Sequence, residues 1–436
     1  MKCRPDIFIN QLRRLALAML ICALSIAATA ALAQSRDEKN RKREKFGSSL
    51  KRLKWDSAKQ KAIEKRQDKR EARSIKQADG EAIKLDTLFV ALDLLVSDPK
   101  TSRFVTGLSR DDFILTEDGQ PQQVAAFSTG DDAARPRSIV LIFDYSGSQL
   151  PYLTASINAA KTLISQLAAS DEMAIVTDDV ELLTDFTRDK GSLLATLDLL
   201  EKRVRKLAGE DLFGRSISSR RGKSLQFSAL YASFRELIKD EDDKRPVIIF
   251  QTDGDEAVTL RDQPDADDYK WNMPRREFGL ADVFDAASRG RATVYTVIPA
   301  DRLAGLSPAD LYERGREMLS RAERSRFATE EEYQRYSSIF PLTDAKVRLL
   351  TDRFTRSQQA AARVAELTGG WTAYLERPEQ AADIYAQILS DINHRYVIGY
   401  YPTNTARDGR LRRVRVEVRG HPEYSVHGRS SYYAPR

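Results

Sequence analysis

The sequence predicts an α/β protein with a doubly wound, mostly parallel sheet and a small flanking β-sandwich formed by N- and C-terminal strands. Three observations support this fold class. Two short apolar runs, at 139–143 and 247–250, have no polar face, which is typical of buried parallel strands. Strand-like and helix-like segments alternate from residue 137 onward. Strand patterns without intervening helices flank this alternating region on both sides.

The first 33 residues are predicted to be a secretory signal peptide. Four basic residues precede an apolar stretch at 15–32, and Ala31-Leu32-Ala33 matches a signal cleavage site. An uncleaved membrane anchor is the alternative. Cleavage would remove both cysteines, Cys3 and Cys22, so the mature protein would have no disulfide. We therefore expect an exported protein that is periplasmic, envelope-associated or secreted.

Residues 34–80 form a basic segment that is predicted to be either helical or disordered. It contains 17 Lys/Arg and 8 Asp/Glu, a net charge of +9, whereas the whole chain carries +6. Since the signal contributes +3, the remaining body is acidic, with a net charge of −6. This distribution and the predicted export argue against nucleic acid as a partner. The segment is either a solvated spacer or makes weak contact with an anionic membrane surface.

The body of the chain divides into three predicted parts. Residues 81–135 form an N-terminal β module, in which Asp118-Gly119 is a hairpin signal. Residues 136–390 form the α/β domain, and 301–362 within it are rich in Arg and Glu and lack a strand candidate. We interpret 301–362 as a helical insertion near the ligand face. Residues 391–436 return to strand patterns and are expected to pack on the N-terminal β module.

Oxygen-bearing side chains follow both buried strands of the predicted sheet. Asp144, Ser146 and Ser148 come after the first strand, and Asp253 and Asp255 come after the second. Ligands of open α/β sheets bind in the crevice at the carboxyl ends of the strands, so these side chains should share one crevice. Oxygen donors without His or Cys suit Mg²⁺, Mn²⁺ or Ca²⁺ and not zinc. The alternative is a Ser-rich turn that caps the following helix.

The wider pattern resembles a known family. The D-x-S-x-S motif after a buried strand and the later T-D-G-D are similar to the von Willebrand factor A domain and its metal-ion-dependent adhesion site. The segments LSRDDFILTEDGQPQQ, GYYPTN, RDGRLRR and SSYYAP resemble the motifs that flank the A domain in the VWFA-related family of acidobacterial type. The resemblance covers roughly 85–436 apart from the insertion. It implies that 136–390 adopt a von Willebrand A-type, Rossmann-like fold.

The resemblance also implies a metal site and a function. It implies Mg²⁺, with Mn²⁺ or Ca²⁺ as alternatives, held by five ligands: Asp144, Ser146, Ser148, Ser224 and Asp253. Ser224 and Ser228 stand where the family motif has Thr and Asp. The implied function is non-catalytic binding, as in cell adhesion, of a protein partner whose Asp or Glu carboxylate completes the metal shell. Because of the two serine departures, a scaffold with a degenerate metal site is the alternative.

A catalytic role is the third hypothesis. Asp144 at a strand end resembles the site of Mg²⁺-dependent aspartate phosphotransferases, but position 146 is Ser where that family has a second Asp. The YSGS segment is not a G-x-S-x-G nucleophile motif, and the three histidines are scattered along the C-terminal region. We therefore expect that the protein is not an enzyme, with phosphoester hydrolysis as the catalytic alternative.

The acidic stretch 262–268 is interpreted as a solvated loop, with a second cation site as its alternative.

Overall fold

The computed structural model describes residues 50–56, 61–64, 88–101, 103–129, 136–211, 224–238, 244–258, 260, 278–325 and 327–435. The predicted signal peptide and the acidic stretch 262–268 lie outside these residues. In the parts of the chain that are described, no helix combines the length and hydropathy required to cross a bilayer.

Within these ranges the chain forms a mixed α/β structure. Its strands are β1 (Lys51–Asp56), β2 (Lys61–Glu64), β3 (Val90–Asp98), β4 (Arg103–Phe104), β5 (Phe113–Glu117), β6 (Gln120–Gln122), β7 (Val124–Thr129), β8 (Arg137–Phe143), β9 (Glu172–Thr177), β10 (Glu181–Thr187), β11 (Arg245–Gln251), β12 (Thr293–Ile298), β13 (Thr372–Tyr374), β14 (Tyr396–Tyr400), β15 (Leu411–Val418), β16 (Ser425–Gly428) and β17 (Ser431–Tyr433). Its α-helices are α1 (Leu150–Gln166), α2 (Lys190–Asp211), α3 (Gln226–Glu236), α4 (Leu280–Arg289), α5 (Pro308–Arg324), α6 (Glu330–Ile339), α7 (Asp344–Thr368) and α8 (Ala381–His394).

The largest sheet is mixed and has the order β13-β12-β11-β8-β9-β10-β1-β2. Strands β13, β12, β11, β8 and β9 are parallel, whereas β10 is antiparallel to β9. The chain leaves β8 toward β9 on one side, and β11 to β13 extend the sheet on the other side. The strand order therefore reverses at β8, and the crevice beyond the carboxyl ends of β8 and β11 is a topological switch point.

Apolar residues pack on both faces of this sheet. Along β8, Val140 and Ile142 join a core that includes residues of α3, α4 and α7. The alternate residues Ile139, Leu141 and Phe143 join a second core with α1, α2 and α8. All seven residues of β8 are buried because helices lie over both faces of the strand. This explains why residues 139–143 of the strand form a continuous apolar run and show no polar alternation.

The described part of the basic segment differs from the prediction of helix or disorder. Residues 51–56 and 61–64 are strands, and β1 pairs with β10 in parallel at Lys51 and Arg52. The Lys51 backbone N–H donates to the Val180 carbonyl at 2.8 Å, and Leu50 is buried in the core beside α3. The open edge of β10 offers unpaired backbone groups, and pairing with them outweighs the helix-forming composition of the segment.

The predicted end of the helical insertion is also wrong. Residue 362 lies inside α7, which runs without interruption for 25 residues to Thr368. A left-handed Gly369 ends the helix. The C-terminal half of α7 packs on the sheet through Ala360, Ala361 and Val364. The inserted residues are therefore continuous with a helix of the main core.

The remaining strands form two further sheets on one apolar core. One has the order β16-β3-β14-β7, with β4 paired to β3, and the other has the order β17-β15-β5-β6. Both sheets combine strands from before and after the α/β region, and both contribute to a shared core that includes Leu92, Phe113 and Ile398. The Asp118-Gly119 turn joins β5 and β6 as an antiparallel hairpin, with positive φ at both residues, as predicted.

Candidate functional site

The carboxyl end of β8 places Asp144 at the base of the switch-point crevice. Its backbone N–H donates to the Gln251 carbonyl of β11 at 3.1 Å, which continues the strand pairing by one residue. Its Oδ1 accepts the Ser146 N–H at 3.0 Å, and its side chain is fully buried. The sequence therefore forms a tight turn in which the carboxylate is fixed and the Ser146 and Ser148 hydroxyls project next to each other, 3.1 Å apart.

The carboxyl end of β11 places Asp253 opposite this turn. The Ser148 hydroxyl donates to Asp253 Oδ2 at 2.6 Å, so the two strand ends are directly hydrogen bonded. Gly254 follows with φ of 74°, and a Cβ there would lie 2.5 Å from the Ser357 carbonyl of α7. Only glycine fits this turn, because the backbone is left-handed and in close contact with α7. The continuous helix α7 thus forms a wall of the crevice.

Four of the five predicted ligands lie together, and the fifth does not join them. Asp144, Ser146, Ser148 and Asp253 belong to one hydrogen-bonded group. Ser224 is half-buried just before α3, and no hydrogen bond among the described residues joins its hydroxyl to that group. The departure from the family motif at this position therefore coincides with the weakest part of the predicted site.

Ser228, the second departure, has a different partner. Its backbone N–H donates to Glu256 Oε2 at 2.9 Å, and its hydroxyl donates to Glu256 Oε1 at 2.5 Å. Glu256 is buried and lies in the short 3₁₀ helix Asp255–Val258 that follows Asp253. A carboxylate thus lies next to position 228, but it belongs to Glu256 in the loop after β11 and not to a residue of α3. Glu256 could not be recognised from the motif, because the residue that bonds it, Ser228, lies far away in the sequence on α3.

Two glutamines were also missed. Gln226 Nε2 donates to Asp144 Oδ2 at 2.9 Å and to Asp253 Oδ1 at 3.1 Å. Gln149 Nε2 donates to Asp253 Oδ2 at 3.0 Å. Both side chains are buried, with 1% of their surface exposed. Gln226 is a polar residue between Leu225 and Phe227, and its position in this apolar stretch was the available signal.

The carboxylates repel one another at this crevice. Burial, and then the charge of Asp253, raise the pKa of Asp144 to about 7, although hydrogen bonds from Ser146 and Gln226 oppose the shift. Burial and Asp253 also raise the pKa of Asp255 to about 6, against the effect of Arg353 at 3.5 Å. Among the described residues, no Lys, Arg or His forms an ion pair with Asp144 or Asp253. A cation bound between them would relieve this repulsion.

The oxygen donors of the crevice fit a hard cation, but they are too few for tight binding. Carboxylate and hydroxyl oxygens are the ligands that Mg²⁺ uses, usually together with retained waters. Over the described ranges, no group of three or more His, Cys, Asp or Glu side chains is arranged to hold a metal. A cation here would therefore be held by two carboxylates, the hydroxyls of Ser146 and Ser148, and water. We expect such a site to bind weakly compared with an all-carboxylate cage.

The raised pKa of Asp144 predicts that the metal-free protein becomes less stable as the pH rises from about 5 to about 8. The folded state holds the proton up to a pKa of about 7, whereas an unfolded aspartate releases it near its ordinary value. The folded state thus binds more protons over this range, and the free energy of unfolding falls as the pH increases. Urea unfolding in chelator at pH 5 and at pH 8 measures how much the free energy of unfolding changes with pH. Asp144→Asn should reduce this pH dependence of the free energy of unfolding and leave the part due to Asp255, whose pKa is about 6. An unchanged pH dependence in that variant would contradict the assignment.

No known family model matches the chain, and no curated protein matches it. Solved structures are similar to parts of it. The proximal thread matrix protein 1 of the mussel byssus is 9% identical, with 64% of this chain and 51% of that chain covered and a TM-score of 0.29. Human COPII-coat protein Sec24c is 8% identical, with 74% and 46% covered and a TM-score of 0.29. Manganese-loaded Plasmodium vivax TRAP protein is 11% identical, with 73% and 98% covered and a TM-score of 0.28.

The chain spans about half the length of the first two of these structures.

Proposed function

We propose that this chain is an exported, non-catalytic binding protein with a doubly wound domain of von Willebrand A type. It engages a protein partner through a divalent cation, Mg²⁺ or else Mn²⁺ or Ca²⁺. One observation carries the proposal: two buried strand ends at the switch point bring Asp144 and Asp253 together with two hydroxyls. No described cationic side chain pairs with either carboxylate.

Four residues would hold the cation: Asp144, Ser146, Ser148 and Asp253. Ser224 would need to turn toward them, since its hydroxyl is not bonded to the group. The bound cation would supply a Lewis-acidic position that attracts an Asp or Glu carboxylate of the partner. The chain's own part is to fix the two carboxylates through the strand pairing and to limit access with α7. The two further sheets would form the flanking β-sandwich that supports the domain.

A scaffold that has lost its cation is the second candidate, and Gln226 favours it. Its amide already satisfies one oxygen of each carboxylate without any ion. The basic segment has a second possible role, a weak contact with an anionic membrane surface. Its strands β1 and β2 are paired into the large sheet, so such a contact would have to come from the other residues of the segment. In both candidates the signal peptide directs the chain to the periplasm, the envelope or the medium.

The test is a pull-down from the native cell envelope with the mature protein as bait, in Mg²⁺ and in chelator. We expect a protein to be captured in Mg²⁺, released by chelator, and lost with Asp144→Ala. Capture that is insensitive to both changes would support the scaffold candidate. Turnover of generic phosphoester or ester substrates that disappears in Asp144→Ala would contradict the non-catalytic role.

A further inference from the structure

Gln226 is the first residue of α3, and it links the two carboxylates of the candidate site. One side-chain amide nitrogen lies 2.9 Å from Asp144 Oδ2 and 3.1 Å from Asp253 Oδ1. A primary amide has two N–H groups, so each can point at one carboxylate. The side chain is 1% exposed, and water therefore cannot replace these donors in the present arrangement. The amide holds together two acidic groups that would otherwise repel each other.

The orientation of this amide is fixed by its other end. Gln226 Oε1 accepts the backbone N–H of Glu256 at 3.2 Å. A flipped amide would point its oxygen at two carboxylates and its nitrogen at a backbone N–H, and all three hydrogen bonds would be lost. The donor face of Gln226 is thus directed to the position between Asp144 and Asp253, where a cation shared by those two carboxylates would be bound.

Gln149 supports the same arrangement from the other side of the crevice. Its Nε2 donates to Asp253 Oδ2 at 3.0 Å and lies 3.5 Å from the Ser148 hydroxyl. Its Oε1 is buried, with no hydrogen-bond partner among the described residues. Gln149 contacts only one of the two carboxylates, so it contributes less to holding them together than Gln226 does.

We propose that Gln226 is a built-in competitor of the cation and determines how tightly the site binds it. A cation shared by Asp144 and Asp253 must displace the Gln226 amide, and the cost of breaking its hydrogen bonds lowers the affinity. The displacement also frees the Glu256 N–H, so cation binding is coupled to the 3₁₀ helix Asp255–Val258 and, through Glu256, to Ser228 of α3. This inference rests on the proposed cation site.

The test is Mn²⁺ binding to the mature protein, measured by isothermal titration calorimetry, together with the thermal midpoint in chelator. Gln226→Met keeps the length of the side chain but removes both donors. We expect it to bind Mn²⁺ at least about tenfold more tightly than the wild type, equivalent to about 1.4 kcal/mol. Its thermal midpoint in chelator should fall, because the carboxylates lose their donors.

A matched control and a second variant complete the design. Gln358 is another buried glutamine, but its amide bonds the backbone of 301–304 and, among the described residues, neither of the two carboxylates. Gln358→Met should therefore leave the Mn²⁺ affinity unchanged. If Gln226→Met does not fold, Gln226→Asn serves instead, since its shorter side chain cannot span both carboxylates and should also tighten binding.

The outcomes separate this inference from the function on which it rests. Wild-type binding with an equal or weaker affinity in the Gln226 variants would overturn the competitor role and leave the cation site standing. Absence of Mn²⁺ binding in the wild type and in every Gln226 variant would overturn both. Tighter binding in the Gln226 variants alone, with Gln358→Met unchanged, supports both.

Discussion

Replacing Arg395 by methionine is expected to lower the free energy of unfolding by about 3–5 kcal/mol. Arg395 has a side chain that is 2% exposed, and its Nε donates to Asp391 Oδ1 at 2.9 Å. Asp391 is fully buried and also accepts the Trp371 indole N–H at 2.6 Å. Removal of the guanidinium would leave a buried carboxylate without its counter-charge, which is among the most costly single changes in a protein.

The same guanidinium joins the α/β region to the other two sheets. It donates to the Gly369 carbonyl at the end of α7 at 2.7 Å and to the Asp93 carbonyl of β3 at 3.1 Å. The Asp93 carboxylate in turn accepts two hydrogen bonds from Arg245 Nη2 at the start of β11, at 3.1 Å each. We therefore expect the α/β region and β3 to lose their fixed relation when Arg395 is replaced, in addition to the loss of stability.

An exposed ion pair provides the control for this prediction. Arg356 and Asp352 pair across one turn of α7, and each side chain is 52% exposed. Arg356→Met should cost less than about 1 kcal/mol because solvent screens the pair. Urea unfolding of both variants gives the comparison. Equal losses in Arg395→Met and Arg356→Met would show that the buried network does not hold the structure together.

Mg²⁺ is expected to raise the thermal midpoint of the mature protein, and Asp144→Ala is expected to abolish the shift. A ligand that binds only the folded state at a hundredfold excess over its Kd stabilises by about 2.7 kcal/mol. The variant lacks the fully buried carboxylate that faces Asp253, so the cation loses one of its two charged ligands. The shift should be larger at pH 8 than at pH 5.5, because Asp144 with a pKa of about 7 must lose its proton to bind a cation.

Asp285→Ala is the matched control, since Asp285 is an exposed residue of α4 that pairs with Arg289 away from the crevice. This variant should keep the full Mg²⁺ shift. A shift that survives in Asp144→Ala would place the cation elsewhere. Equal midpoints in Mg²⁺ and in chelator for the wild type would favour the scaffold candidate.

The strands that carry the site could be predicted because their physical requirements are local. A strand covered by helices on both faces must be apolar throughout, and the runs at β8 and β11 meet this requirement. Parallel neighbours end at the same edge, so the convergence of Asp144, Ser148 and Asp253 followed from the order of strands alone. The role of these residues as metal ligands stays a prediction.

Other parts could not be predicted because distant groups determine them. The strands β1 and β2 form in a highly charged segment, and the partner of β1 is the edge strand β10, more than a hundred residues later. Gln226 and Glu256 become site residues only because α3 and the loop after β11 meet. A neutral amide between two carboxylates leaves no charge pattern in the sequence.

The proposed function requires a divalent cation to bind between Asp144 and Asp253. The most direct measurement is a crystal structure of the mature protein grown with Mn²⁺, with anomalous scattering data collected to locate the metal. We expect an anomalous peak between the two carboxylates, with the Gln226 amide moved away from it. Density for the Gln226 amide still bonded to both carboxylates, and no peak between them in saturating Mn²⁺, would show that no cation binds there.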